Sequence, residues 1–319
     1  MERRRTALAL ALVMSASSLV SACGRRATPV PTPTPTAPPV TATSPAADDW
    51  ARVRASGRLM VGSSLDNPPL SMYNNVLQPD GFEIALMKEI GRRLSLQVEF
   101  NDFAFEGLLS ALQLNQVDAV IAAMSITPER QQEVDFTNPY FIGEDAILAA
   151  ADSSIAAVAT VNDLAARRVG VQRGSVYESW LRDTLVATGQ MPQFNLLTYI
   201  SLDEAIRDLR DGRVELVALD LAPAQHYAER GSGSVLAQNL HPQRFGIAVQ
   251  KGSSLLPQLN QALQQVQADG TVGRLLVEFN LFSAPLPPPE PTPTPAPTAT
   301  PAANTPVPAT AAPPAVATI

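Results

Sequence analysis

Several charged and polar side chains stand where apolar segments of this sequence end. Arg130 offers a planar guanidinium for a carboxylate, and Ser125 adds a neutral hydroxyl donor. Backbone amides at a predicted helix start, Ser175, favour the same negative charge. Asp220 follows an apolar run, where a carboxylate needs a cation, and Phe105 offers a flat apolar face to an aliphatic stem or an ammonium group. Together these residues predict a clamp for a small zwitterion.

Each of these residues also has a purely structural interpretation. Arg130 could be a solvated helix residue, Asp220 could cap the helix that follows it, and Phe105 could belong to the core. Ser175 is expected to cap its helix whether or not it binds anything, because Glu178 stands three residues later. The clamp therefore depends on whether the fold brings these residues together.

The apolar pattern alternates between strands and helices along two successive runs. The first run predicts strands at 58–62, 96–100 and 118–122, and helices at 81–94, at 105–114 and from Thr127. The second run predicts strands at 146–150, 168–171, 194–199, 214–219 and 245–249. It also predicts a helix that begins at Ser175 and helices at 201–211, 254–268 and 271–281. Such alternation is typical of parallel sheets with helices on their faces.

The expected fold class is α/β with two lobes, each a mainly parallel sheet flanked by helices. Lobe 1 is predicted to comprise 48–145 and 247–282, and lobe 2 to comprise 146–246. The two crossings, near 143–150 and 244–249, would form a two-stranded hinge. Ligands of open α/β sheets sit beyond the carboxyl ends of the strands, which is where the clamp residues stand.

The sequence on either side of this body has a different composition. Of 29 prolines, seven lie at 29–45 and thirteen at 285–314, so 23–47 is interpreted as a linker and 283–319 as a disordered tail. Residues 1–22 have the three arginines, the short apolar run and the small residues of a signal peptide. Val20-Ser21-Ala22-Cys23 resembles the lipobox of bacterial lipoproteins, which implies a lipid anchor on Cys23; an ordinary signal peptide with an incidental cysteine is the alternative.

Composition excludes several classes of function. Residues 48–282 carry 18 Lys and Arg against 28 Asp and Glu, a net charge of −10, which argues against nucleic-acid binding. A lone cysteine excludes an internal disulfide and a cysteine-based zinc site, and His226 and His241 have no histidine at metal-binding spacing. No metal, no cofactor and no catalytic residue are expected, and the protein is expected to be a monomer.

The order of the motifs resembles the amino-acid-binding proteins of ABC importers, the family 3 extracellular solute-binding proteins with the type 2 periplasmic-binding-protein fold. The most specific motif is Met124-Ser125-Ile126-Thr127-Pro128-Glu129-Arg130. Further motifs that stand in the family's order are Gly81-Phe82-Glu83, Phe105-Glu106-Gly107-Leu108, Val134-Asp135-Phe136-Thr137 and Val169-Gly170-Val171-Gln172. The resemblance covers Leu59 to about Phe279, and it implies a receptor that delivers an amino acid to a membrane permease.

The resemblance also assigns roles to individual residues. It implies that Arg130 grips the ligand carboxylate with Ser125 and the Ser175-Val176 backbone. Asp220 and the carbonyl of Ala123 would accept from the ammonium group, and Phe105 would be the pocket aromatic.

The family often has an aromatic residue and an acid where this chain has Asn67 and Ser64. The departures favour a polar uncharged ligand over a cationic one, with Gln172, Ser64 and Asn67 as specificity contacts. Two alternatives stay open: an enzyme like the cyclohexadienyl dehydratases of the same fold, with Glu83 or Glu106 as general acid, and a subunit that presents its ligand to a separate sensor.

Overall fold

The structure of the protein is a computed structural model that describes residues 48–281. The predicted signal peptide, Cys23, the linker and the carboxyl-terminal tail lie outside the described residues. The helices are α1 Asp49–Ser56, α2 Phe82–Leu94, α3 Leu108–Gln113, α4 Pro128–Glu133, α5 Val176–Leu181, α6 Leu202–Arg210, α7 Leu221–Glu229, α8 Leu256–Ala268 and α9 Thr271–Glu278. The strands are β1 Arg58–Ser63, β2 Asp66–Asn67, β3 Ser71–Tyr73, β4 Pro79–Asp80, β5 Gln97–Asp102, β6 Ala119–Val120, β7 Val134–Phe136, β8 Phe141–Gly143, β9 Asp145–Ala149, β10 Val169–Gln172, β11 Leu196–Tyr199, β12 Leu216–Asp220, β13 Ser234–Gln238, β14 Gln243–Phe245 and β15 Ala248–Gln250.

Two five-stranded sheets form the two lobes. The first sheet has the order β5-β1-β6-β15-β7, and the second has the order β11-β10-β12-β9-β13. In each sheet three neighbouring strands are parallel, and the fourth strand, β15 or β9, runs antiparallel to them. The outermost strand, β7 or β13, pairs antiparallel with the fourth and therefore runs in the direction of the first three. The predicted α/β class with mainly parallel sheets is confirmed. The carboxyl ends of β5, β6, β10 and β12 lead to or include four residues of the predicted clamp, Phe105, Ser125, Ser175 and Asp220.

Each sheet is covered on both faces, which explains why its strands are almost continuously apolar. On the second sheet, alternate residues of one strand enter different cores: Leu216 and Ala218 pack with α5, whereas Val217 and Leu219 pack with α6. The closing helices α8 and α9 share a core with α2 on one face of the first sheet. Strand β15 and helices α8 and α9 therefore return the chain to the first sheet.

The two crossings between the sheets pair with each other. Strand β8 runs antiparallel to β14, with Phe141 opposite Phe245 and Gly143 opposite Gln243. Their phenylalanine rings stack with centroids 5.7 Å apart. The hinge lies earlier in both segments than the sequence predicted, because Asp145–Ala149 and Ala248–Gln250 already belong to the sheets.

Other local predictions need correction. The predicted strand at 194–199 begins only at Leu196, because Phe194 lies in a short 3-10 turn and is 80% exposed. The predicted strand at 245–249 is two strands, β14 and β15, in different sheets.

The predicted capping box at Ser175 and Glu178 is only half formed, and so is the same Ser-x-x-Glu spacing at Ser201 and Glu204. Ser175 and Ser201 each accept the N–H three residues later at 3.3 Å, but Glu178 accepts from Gly174 instead of from Ser175. A complete box occurs at Thr160 and Asp163, where the sequence analysis predicted none.

Candidate ligand-binding site between the two lobes

A small cavity lies between the carboxyl ends of the two sheets. Its volume is about 30 Å³, which is space for one or two water molecules and too small for an amino acid. Eight of the ten predicted binding residues line it: Asn67, Phe105, Ala123, Ser125, Gln172, Ser175, Val176 and Asp220. Residues of both lobes thus meet around one space, as a clamp requires.

Arg130 lies beside this cavity and lines a larger one of about 510 Å³ between α4 and α5. Its Nη1 donates to the carbonyl of Ser125 at 2.9 Å, and its Nη2 donates across the lobes to the carbonyl of Gly174 at 3.0 Å. The guanidinium carbon lies 5.5 Å from the centre of the Phe105 ring. Arg130 is therefore held by residues around the central cavity and is not a solvated helix residue.

Burial lowers the pKa of Arg130 to about 10, against the opposing influence of Glu129 and Asp220. The guanidinium nevertheless keeps its proton at neutral pH, so it places a positive charge at the edge of the central cavity. No ion pair joins Arg130 to a carboxylate in the described part of the chain. Its charge is thus available to an anionic group between the lobes.

Asp220 occupies the N-cap position of α7, but its side chain makes no capping hydrogen bond. The carboxylate instead accepts from the hydroxyl of Tyr177 on α5. Burial raises the pKa of Asp220 to about 7, although hydrogen bonds from Tyr177 and Asn67 act in the opposite direction. The capping interpretation is therefore wrong, and within residues 48–281 no Lys or Arg forms an ion pair with this carboxylate.

Some of the backbone N–H groups at the start of α5 already donate to acceptors in the protein. Ser175 caps the helix, as expected, and its own N–H donates to the carbonyl of Gln172 at 3.2 Å. The N–H of Gly174 donates to Glu178 at 2.7 Å. Val176 is the first helical residue, so its N–H has no acceptor inside the helix and can serve a ligand.

Glu83 fixes the position of Ala123 from behind the cavity. Its side chain is fully buried, and one carboxylate oxygen accepts the N–H of Ala123 at 2.6 Å and the hydroxyl of Tyr140. Burial raises the pKa of Glu83. Ala123 adopts a left-handed backbone conformation, with φ of 48°. Glu83 is thus a structural support for a residue of the site.

Ser64 lies outside the central cavity, in the wall of a neighbouring cavity of about 240 Å³. Its hydroxyl donates to Asp66, which the sequence analysis did not select. Asp66 also accepts from Gln172 Nε2 and from the N–H of Leu202, both at 3.0 Å. Asp66 lies in the two-residue strand β2, and Gln172 and Leu202 are more than 100 residues away in sequence, so no local pattern reveals these two contacts.

The site lacks the features of a metal centre or a membrane segment. Within residues 48–281, no cluster of three or more His, Cys, Asp or Glu side chains is arranged to hold a metal ion. Over the same residues, no helix has the length and apolar character needed to cross a bilayer.

Known proteins share this chain's sequence and fold. The ABC transporter arginine-binding protein 1 of Escherichia coli is 30% identical over 228 residues, covering 69% of this chain and 90% of that protein. A solved ancestral arginine-binding protein bound to glutamine is 33% identical, with a TM-score of 0.64, over 70% of this chain and 97% of that one.

The ancestral amino-acid-binding protein AncCDT-1, a precursor of cyclohexadienyl dehydratase, is 29% identical, with a TM-score of 0.65, over 72% of this chain and 99% of that one. The family model of the bacterial extracellular solute-binding proteins, family 3, matches residues 59–281. Since that match covers both lobes and the site between them, the chain belongs to the family 3 bacterial extracellular solute-binding proteins.

Proposed function

We propose that this protein is an extracytoplasmic receptor that binds a free amino acid between its two lobes and delivers it to the permease of an ABC importer. The observation that carries the proposal is the pairing of opposite charges around one interlobe cavity. Arg130 lies at its edge and Asp220 in its wall, yet the two are not joined as an ion pair. The α-carboxylate of an amino acid would pair with Arg130, and its α-ammonium group would pair with Asp220.

In this proposal the ligand replaces contacts that the protein now makes with itself. Arg130 would exchange the Gly174 carbonyl for the ligand carboxylate, which Ser125 and the Val176 N–H would also contact. Asp220 and the carbonyl of Ala123 would accept from the ammonium group, above the Phe105 ring. Because residues of both lobes contact one ligand, binding favours closure, and a permease can distinguish the closed form.

The proposed lobes are 48–145 with 247–282, and 146–246. The polar wall formed by Asn67 and Gln172 supports a polar uncharged amino acid as ligand. Relatives with arginine and glutamine as ligands support the amino-acid class.

We further propose that Cys23 carries the lipid that holds a monomeric receptor on the outer side of the membrane. The proline-rich residues 23–47 would serve as the spacer, with a reach of roughly 60–80 Å if extended.

Calorimetric titration of the full chain with the twenty amino acids tests the proposal. We expect at least one to bind with micromolar or tighter affinity, and binding weaker than millimolar for all twenty would refute it. The same titration of Arg130→Ala should lose most of the affinity, because a charge-assisted pair is removed.

A dehydratase function is disfavoured by the position of the two candidate acids. Glu83 is buried behind Ala123, and Glu106 forms an interlobe ion pair with Arg173 at 3.4 Å. Neither lines the central cavity. Incubation with prephenate or arogenate should therefore give no aromatic product, and its appearance by absorbance would establish the enzymatic alternative.

A further inference from the structure

We infer that Asp66 is a positioning residue that turns the Gln172 amide so that the site selects ligands whose side chains donate hydrogen bonds. The inference rests on the proposed function, and it goes further by naming the chemistry of the ligand side chain. Asp66 does not line the central cavity; it acts through Gln172, which does.

The orientation of Gln172 follows from the chemistry of its partner. A carboxylate oxygen accepts hydrogen bonds, and Asp66 Oδ2 already accepts the N–H of Leu202 at 3.0 Å. The amide of Gln172 must therefore present its NH₂ group to Asp66, and it does so at 3.0 Å. Its oxygen has no donor within residues 48–281, although the side chain is only 8% exposed. An acceptor is thus left over in the wall of the cavity.

Asn67 repeats this arrangement from the other lobe. Its amide acts on Asp220 in the direction that lowers the pKa of that carboxyl group and so favours the ionised carboxylate. Its Oδ1 is buried and has no hydrogen-bond partner in the described structure. The amide of Gln172 thus donates to a carboxylate and that of Asn67 favours the ionised form of another. Neither amide oxygen has a protein donor within residues 48–281, and both residues line the same cavity.

An acceptor that a bound ligand cuts off from water without offering a donor is costly, so a ligand that supplies the missing N–H or O–H groups is favoured. Amide, hydroxyl and cationic side chains supply them. A carboxylate side chain supplies none and would add a negative charge near Asp66 and Asp220. Glutamine and glutamate, which have nearly the same shape, should therefore differ strongly in affinity.

The experiment compares binding of L-glutamine, L-asparagine, L-arginine and L-glutamate by calorimetry to the full chain and its variants. The measured quantity is the selectivity, defined as the dissociation constant for L-glutamate divided by that for the tightest of the other three. The wild-type protein should show a selectivity of at least 100. Asp66→Ala should lower it at least tenfold, because Gln172 is then free to turn its NH₂ group toward the cavity.

Two further variants distinguish the positioning of Gln172 by Asp66 from the effect of the Asp66 charge and from a general effect on lobe closure. Asp66→Asn removes the charge but keeps an oxygen that can accept from both Gln172 and Leu202, so it should retain selectivity within about threefold. Glu106→Gln weakens a different interlobe contact, the pair with Arg173, and should change the affinity for all ligands by a similar factor without changing the selectivity.

The inference is overturned if Asp66→Ala leaves the selectivity unchanged, or if Asp66→Asn loses as much as Asp66→Ala, since charge alone would then explain the preference. It is also overturned if the wild-type protein binds L-glutamate as tightly as the donor ligands. The absence of binding by any of the twenty amino acids is a different result, because it refutes the proposed function itself.

Discussion

The hydroxyl of Tyr177 donates a hydrogen bond to the carboxylate of Asp220. Tyr177 lies in α5, and Asp220 lies at the end of β12. Both residues line the central cavity and both belong to the second lobe. The contact holds Asp220 away from the N-terminus of α7, which a residue at that position would ordinarily cap. A carboxylate is thereby kept for a cation at the cost of a helix cap.

The variant Asp220→Asn tests how much the Asp220 carboxylate contributes to ligand affinity and how much it lowers the stability of the ligand-free protein. We expect amino-acid affinity to fall about 10- to 150-fold, the equivalent of ~1.5–3 kcal/mol for a charge-assisted hydrogen bond. Ligand-free stability at pH 8 should rise by about 1 kcal/mol, because a buried charge is removed. Calorimetry measures the first effect and thermal unfolding the second.

Asp203→Asn is the matched control, since Asp203 also accepts from a tyrosine, Tyr227, at 2.9 Å but does not line the cavity. It should leave the affinity unchanged. Equal losses in the two variants would contradict the role given to Asp220.

Binding should depend on pH through Asp220, whose pKa in the ligand-free form is raised to about 7 by burial. Only the ionised form pairs with an ammonium group, so affinity should fall as pH drops below 7, approaching about tenfold per unit. At pH 6, titrations in two buffers of different ionisation enthalpy should reveal the release of about one proton.

The stability of the ligand-free protein should change in the opposite sense. The pKa of Asp220 is higher in the folded protein than the unfolded value of ~3.9. Its stabilising contribution to the free energy of unfolding is therefore fully present below pH ~3.9 and is lost as the pH rises to about 7. Affinity that stays constant from pH 5 to 8 would show that Asp220 does not carry the ammonium group.

The ring of Phe105 should stabilise the binding-competent position of Arg130. A cation–π contact contributes ~0.5–2 kcal/mol, so Phe105→Leu should weaken amino-acid binding about 2- to 30-fold. Phe103→Leu serves as control, because Phe103 packs against the same core and makes no contact of this kind with Arg130. If both variants bind amino acids as tightly as the wild-type protein, the Phe105 ring contributes only to packing of the core and not to binding.

Membrane attachment should depend on Cys23. In a bacterial host, the full chain should sediment with membranes, remain there in high salt and be released by detergent, because acyl chains hold it. Cys23→Ser should be recovered in the soluble fraction, as measured by immunoblot. Retention of that variant in the membrane would indicate that another segment anchors the protein.

Sequence and structure agree where the information is local. Thr127 caps α4 with Pro128 as its first residue, and Asp220 is the last residue of β12, so both could be placed from neighbouring residues. The family's motifs identified most of the residues that line the cavity.

The contacts that could not be predicted join distant segments. Asp66 meets Gln172 and Leu202 only because β2 of one lobe faces β10 and α6 of the other. Likewise, the sequence gives no sign that Glu83 supports Ala123, since the two are 40 residues apart and the donor is a backbone N–H. Such contacts depend on how the lobes meet, and apolar periodicity within one element carries no information about that.

The pairing of β7 with β15 in the first sheet has a consequence for the order in which the protein folds. All five strands of the second sheet lie within residues 145–238, so that sheet can be completed while the end of the chain is still being synthesised. The first sheet cannot, because β7 pairs with no strand of that sheet except β15. The amino-terminal lobe therefore finishes last, after the chain has passed through the whole second lobe and come back beside its own point of departure.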